Sequence, residues 1–179
     1  MARIIAFLRA INVGGHVVKM DELRRHFAAM GLAGVETFIA SGNVIFESKS
    51  GNADKLTLQI ESHLRQALGY EVGVLLRTLP ELAAIESYQP FAKNELNDKG
   101  NTLYVGFIGN TPGKTLVQKV EALATDVDGL KINGREIYWL LRTSFAESRI
   151  SGALLEKTLG TKVTYRNMNT VRRLLKKYS

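Results

Sequence analysis

Apolar positions change their period along the chain, and the changes mark out its elements. Residues 3–10 are a short apolar run closed by an arginine and then by glycines, the pattern of a buried strand. Met20, Leu23, Phe27 and Met30 recur at helical spacing, and Gly31 closes that helix. Residues 35–39 and 43–48 read as two strands joined by the turn Ser41-Gly42-Asn43. Leu56, Ile60, Leu64 and Leu68 form a second helical stripe, with Asn52 placed to cap it and Gly69 to end it. Residues 72–77 are a fourth strand, and Thr78-Leu79-Pro80-Glu81 has the form of a capping box opening a short helix.

The first half therefore reads β-α-β-β-α-β, the ferredoxin-like order. Gln89 to Asn101, with Pro90, Asn94, Asn97, Asp98 and Gly100, reads as a linker. The pattern then recurs. Residues 102–108 are a strand, and Leu116, Val120, Leu123 and Val127 a helical stripe. Asn133-Gly134 is a hairpin signal, expected to supply two positive-φ residues before a strand at 136–141. Ile150, Leu154 and Leu155 mark a helix, 161–165 a last short strand, and Met168, Val171, Leu174, Leu175 and Tyr178 a final amphipathic helix. The expected fold is α+β, with two ferredoxin-like subdomains, 1–88 and 102–179, related by structural duplication across a linker at 89–101.

Charge sharpens this picture. Residues 1–90 carry nine Lys/Arg and nine Asp/Glu, whereas 91–179 carry fifteen and eight, so the whole net charge of +7 lies in the second half. The last eighteen residues hold Lys162, Arg166, Arg172, Arg173, Lys176 and Lys177 and no acid. Such a segment suits an anionic partner such as nucleic acid or a nucleotide. Cysteine is absent, which excludes disulfides and thiolate sites and fits a reducing, cytoplasmic setting. No apolar run has the length of a membrane span, and the N-terminal run ends at Arg9 without the shape of a secretory leader.

Topology locates one candidate site. In a ferredoxin-like unit the loop after the first strand, the start of the first helix and the turn between the second and third strands share one end of the sheet. Arg9, Asn12, Gly14, Gly15, Lys19, Ser41, Gly42 and Asn43 meet there on this reading. Glycines allow close backbone approach, and a helix start favours anions, so these residues suit a phosphate or carboxylate. Arg77 belongs to the opposite end. A second candidate is C-terminal: Arg166, Asn167 and Asn169 with Arg172, Arg173, Lys176 and Lys177, as contacts to nucleic acid. Asn167 or Asn169 equally suits a helix cap.

Other chemistry is thin. Gly109-Asn110-Thr111-Pro112-Gly113-Lys114-Thr115 imitates a P-loop but has three residues between its glycines instead of four, and reads as a helix start. His16, His26 and His63 are scattered without metal-ligand spacing, no nucleophile elbow occurs, and no cofactor motif is present. Strand one is apolar on both faces (Ile5 and Phe7; Ile4 and Leu8), so both are expected to be covered, by the other half or by a second copy.

Leu8-Arg9-Ala10-Ile11-Asn12-Val13-Gly14-Gly15, the segment Thr37 to Ser48, Tyr138-Trp139 and Tyr165-Arg166-Asn167-Met168-Asn169-Thr170-Val171 together resemble the DUF1697 family, a bacterial group of unassigned function. The resemblance implies two ferredoxin-like α+β subdomains. It brings no reaction, substrate or cofactor. Ala10 stands where the family usually has Gly, and Met168 where it usually has Trp. The functional expectation is an anion-binding protein for a nucleotide or nucleic acid. The alternative is an enzyme acting on a phosphorylated or carboxylated small molecule, for which the sequence offers no general base, and a third is a scaffold that assembles with partners.

Overall fold

The computed structural model describes residues 1–39 and 42–179. Two compact units divide the chain, Met1–Leu82 with Tyr178–Ser179, and Ala83–Lys177. Each is built on a four-stranded antiparallel sheet.

In the first unit the elements are β1 (Ala2–Arg9), α1 (Met20–Ala29), β2 (Ala33–Thr37), β3 (Asn43–Ser48), α2 (Ala53–Leu68) and β4 (Gly73–Thr78), and the sheet order is β2-β3-β1-β4. Strand alternation places Ile4, Ala6 and Leu8 beside Val44 and Phe46 on one side and Val74 and Leu76 on the other. This face meets Leu23 and Phe27 of α1 and Leu56, Ile60 and Leu64 of α2 in one apolar core. Ile5, Phe7 and Ile45, on the opposite face, are also buried, so both faces of β1 are removed from water. The helix ends follow local chemistry. Asn52 Oδ1 accepts from the Lys55 N–H at 2.9 Å, and Gly69 ends α2 in the left-handed region. The capping box forms as well: the Thr78 N–H donates to Glu81 Oε2 at 2.8 Å and the Glu81 N–H to Thr78 Oγ1 at 3.3 Å, opening α3 (Leu79–Ser87).

The second unit has α4 (Lys93–Asn97), β5 (Thr102–Phe107), α5 (Lys114–Glu121), β6 (Asp128–Asn133), β7 (Glu136–Leu141), α6 (Gly152–Leu159), β8 (Thr164–Asn167) and α7 (Met168–Tyr178), with sheet order β6-β7-β5-β8. The stretch 89–101 thus contains a short helix, fastened where Arg142 Nη2 donates to Glu95 Oε1 at 2.7 Å. The Asn133-Gly134 hairpin forms one residue later than expected. Asn133 still pairs with Glu136, and only Gly134 has a positive φ (59°), so the loop is Gly134-Arg135, the glycine-first form of a two-residue turn. The last strand also ends later than read, so Arg166 and Asn167 lie on β8 and α7 follows it without a gap.

Ala10 adopts φ 60° on an exposed stretch directly after β1. A side chain there clashes with its own backbone, which costs about 1–2 kcal/mol. Ala10→Gly is expected to stabilise the protein by about 1 kcal/mol, part of the relief being offset by the looser unfolded chain. Thermal denaturation checks this, with a rise of about 2–4 °C expected; an unchanged or lower midpoint contradicts it.

Candidate functional site

The loop after β1 is built largely from its own hydrogen bonds. Asn12 Oδ1 accepts from the Val18 N–H at 2.7 Å, which ties the loop to the approach of α1. Gly14 and Gly15 take φ values of 66° and 85°, with open space where a Cβ would stand. The His16 ring stacks on Tyr70 at 3.8 Å, and the Tyr70 hydroxyl donates to the Ile11 carbonyl at 2.9 Å. Burial, and then the negative charge of Glu22, push the Tyr70 phenol above its ordinary value and keep it a donor. Lys19 is the exposed N-cap residue of α1.

The expected meeting of this loop with the β2–β3 turn is present at Gly42. Its carbonyl accepts from the Leu8 N–H at 2.8 Å, and a Cβ on it would lie 2.9 Å from Ile11 Cγ2. Asn43 is fully buried, its Nδ2 donating to the Phe38 carbonyl at 2.9 Å. Its amide therefore closes its own hairpin. Arg9 pairs across the sheet with Gly73 of β4. Ser41 lies outside the described residues. Arg77, at the other end of β4, is 2% exposed and donates Nη1 to the Leu76 carbonyl at 2.8 Å.

The pleat of β8 splits the C-terminal residues. Arg166 lies opposite Val105, whereas Tyr165 and Asn167 lie opposite Gly106 and Tyr104, so their side chains leave the sheet from the other face. Arg166 donates Nη1 to the Tyr165 carbonyl at 2.8 Å, and burial pushes its guanidinium down to about 10. Asn167 Oδ1 accepts from the Asn169 N–H at 2.9 Å and so caps α7. On α7, Val171, Leu174 and Tyr178 are buried, while Arg172, Arg173, Lys176 and Lys177 are exposed together. Arg172 also reaches Glu86 Oε1 at 3.4 Å.

Two constellations escape sequence reasoning. His26 and His63, from α1 and α2, stand edge to face with ring centroids 5.7 Å apart. Among the described residues no group of three or more metal-ligating side chains occurs. The second is a cavity of about 470 Å³ in the second unit, lined by Tyr104, Trp139, Phe145, Ile150, Ser151, Gly152, Tyr165, Arg166 and Asn167. Sheet register assembles it: Tyr104 faces Trp139 across β5 and β7 and Asn167 across β5 and β8. Trp139 is held from behind, its indole N–H donating to Asp128 Oδ1 at 3.0 Å. The same carboxylate accepts from Ser148 Oγ, Thr125 Oγ1 and the Arg149 N–H.

Among the described residues no helix is long and apolar enough to cross a membrane. No curated protein matches the chain. A solved structure described as the conserved bacterial protein SP0830 from Streptococcus pneumoniae is similar over 99% of this chain and 98% of its own, with a TM-score of 0.79 and 22% identity, which shows a shared fold. The family model described as "Protein of unknown function (DUF1697)" matches residues 1–138, spanning the glycine loop and the first seven strands up to Tyr138. With more than three quarters of its length matched by that model, the chain belongs to the DUF1697 family.

Proposed function

We propose that the protein binds an anionic ligand, a nucleotide or nucleic acid, chiefly through the basic face of α7. The observation that carries this reading is the common exposure of Arg172, Arg173, Lys176 and Lys177 in an eighteen-residue segment without a single acid. Lysines and arginines spaced along one helix face neutralise successive phosphates and release their counterions. The glycine loop is a second anion-binding surface on this reading, with Gly14 and Gly15 exposed in the loop, Lys19 exposed at the start of α1, and Arg9, Asn12, Gly42 and Asn43 shaping it. Absence of cysteine fits a cytoplasmic role.

Duplication belongs to the same proposal, with both units ferredoxin-like. Equivalent sheet orders support it, as does a shared detail: Arg77 and Arg166 sit on the corresponding edge strands, opposite Ile5 and Val105, and each donates Nη1 to the preceding carbonyl at 2.8 Å.

Binding to RNA, single-stranded DNA and duplex DNA at low salt, followed by a salt titration, tests the function. Replacing Arg173 and Lys176 by glutamine is expected to lower the log–log salt slope by about 2. No binding to any of the three at low salt overturns the reading. The alternative, an enzyme for a carboxylated or phosphorylated small molecule, draws on the cavity of about 470 Å³, a volume suited to a metabolite.

A further inference from the structure

We propose that the cavity on the β5–β8 sheet binds a planar unsaturated ring bearing exocyclic oxygen acceptors, as a nucleobase or an aromatic carboxylate does. This deepens the ligand-binding reading, but its site is apart from the cations of α7.

The walls are aromatic and set in advance. Trp139 stands edge-on to Tyr165 (5.9 Å, 72°) and to Phe145 (5.8 Å, 83°), and Tyr104 lies 5.1 Å from Phe145. Two glycines make the room. A Cβ at Gly106 would lie 2.7 Å from Tyr165 Cε1, and one at Gly152 3.4 Å from Tyr165 Cε2, so the Tyr165 ring is seated between strand and helix. Asp128 fixes the indole, so the wall is in place before a ligand arrives, which lowers the ordering cost of binding. Phe145 is 55% exposed although its ring lies against Trp139 and Tyr104 in the cavity lining, an unfavourable position for a phenyl group that stacking with a ligand would relieve.

The rim selects the ligand's polarity. Asn167 uses Oδ1 to cap α7, which turns its Nδ2 donors to other partners. Ser151 Oγ accepts from the Leu154 N–H at 3.1 Å, and its hydroxyl proton is a further donor. The first turn of α6 begins at Gly152, with N–H groups that a helix start leaves unsatisfied. Donors therefore gather at the edge of an apolar slot, matching a ring whose carbonyl or carboxylate oxygens lie in its plane.

Trp139 is the single tryptophan of the chain, so its emission reports on this cavity alone. Titration with uridine and with benzoate is expected to change that emission saturably at millimolar concentration. Phe145→Ala, an exposed site, should weaken binding about ten-fold, the usual size of one lost stacking contact. Asn167→Asp keeps the oxygen that caps α7 and removes the amide donors, so it should weaken both probes while leaving the thermal midpoint near that of the parent. Replacing Arg173 and Lys176 by glutamine should leave both probes unaffected, which separates this site from the α7 reading. Oligouridine competing with uridine assigns the ring to a strand, and uridine binding without such competition assigns it to a free metabolite; both support the site. Absence of a saturable change with either probe, or equal affinity in Phe145→Ala, overturns it.

Discussion

Asp128→Ala is expected to destabilise the protein by about 3–5 kcal/mol, because it leaves the buried Trp139 indole N–H and three partly buried donors without their common acceptor. Asp128 is fully buried and accepts from Trp139 Nε1 at 3.0 Å, Ser148 Oγ at 2.6 Å, Thr125 Oγ1 at 3.1 Å and the Arg149 N–H at 3.3 Å. These bonds join β6, β7 and the loop that carries Phe145, so the loss reaches the cavity as well as the core. Against a total stability of about 5–15 kcal/mol, an effect of this size leaves little folded protein in mild urea. Asp128→Asn is the gentler probe, since it preserves shape but turns one acceptor into a donor facing donors.

The pH dependence of this network has a definite sign. Burial alone raises the Asp128 carboxyl, but the hydrogen bonds from Ser148, Trp139, Thr125 and the Arg149 N–H outweigh it and hold the group below its ordinary value. A carboxyl lowered in the folded state contributes stability that is present above its unfolded value, about 3.9, and is lost as pH falls through the lower folded value. Urea midpoints of the parent and of Asp128→Asn should therefore differ most near neutral pH and converge in acid. A difference that persists unchanged below that window would show that the carboxylate charge plays no part.

Gly42→Ala carries the second large effect, about 2–4 kcal/mol of destabilisation. Gly42 has φ 74°, and its new Cβ would stand 2.9 Å from Ile11 Cγ2 and 3.1 Å from Leu8 Cβ. Both are buried apolar groups with no free side to yield into. The substitution pushes the β2–β3 turn away from the end of β1, and with it the Leu8 N–H that donates to the Gly42 carbonyl. Chemical denaturation measures the loss, and a midpoint equal to the parent's would remove Gly42 as the joint between turn and glycine loop.

Much of the fold is legible locally because its signals are local. Asn52, the Thr78–Glu81 pair and Gly69 each act within one helical turn, and all three behave as their chemistry dictates. Errors fall where a neighbouring strand sets the answer. Asn133 looked like a turn residue, but pairing with Glu136 keeps it in β6 and moves the turn on by one. Arg166 and Asn167 looked like one polar cluster, but pairing with β5 makes them strand, and strand alternation sends them to opposite faces. Asn43 offered an amide to a ligand, yet its burial gives that amide to Phe38.

The order of the strands and of the longer helices, most helix caps, the uncharged balance of the first half and the basic face of α7 were legible along the chain, since each depends on residues near one another, whereas the short helix α4 inside 89–101 was not. Tertiary structure alone decided what meets what. Tyr104, Trp139, Phe145 and Tyr165 lie across about sixty residues with no common period; sheet register places two of them opposite each other, and Gly106 and Gly152 open the space for a third. Asp128 likewise reads as an ordinary surface acid until its four donors converge on it from β7, the Ser148-Arg149 loop and Thr125. Cavities and buried charges exist only once distant segments exclude water together, and that exclusion has no period along the chain.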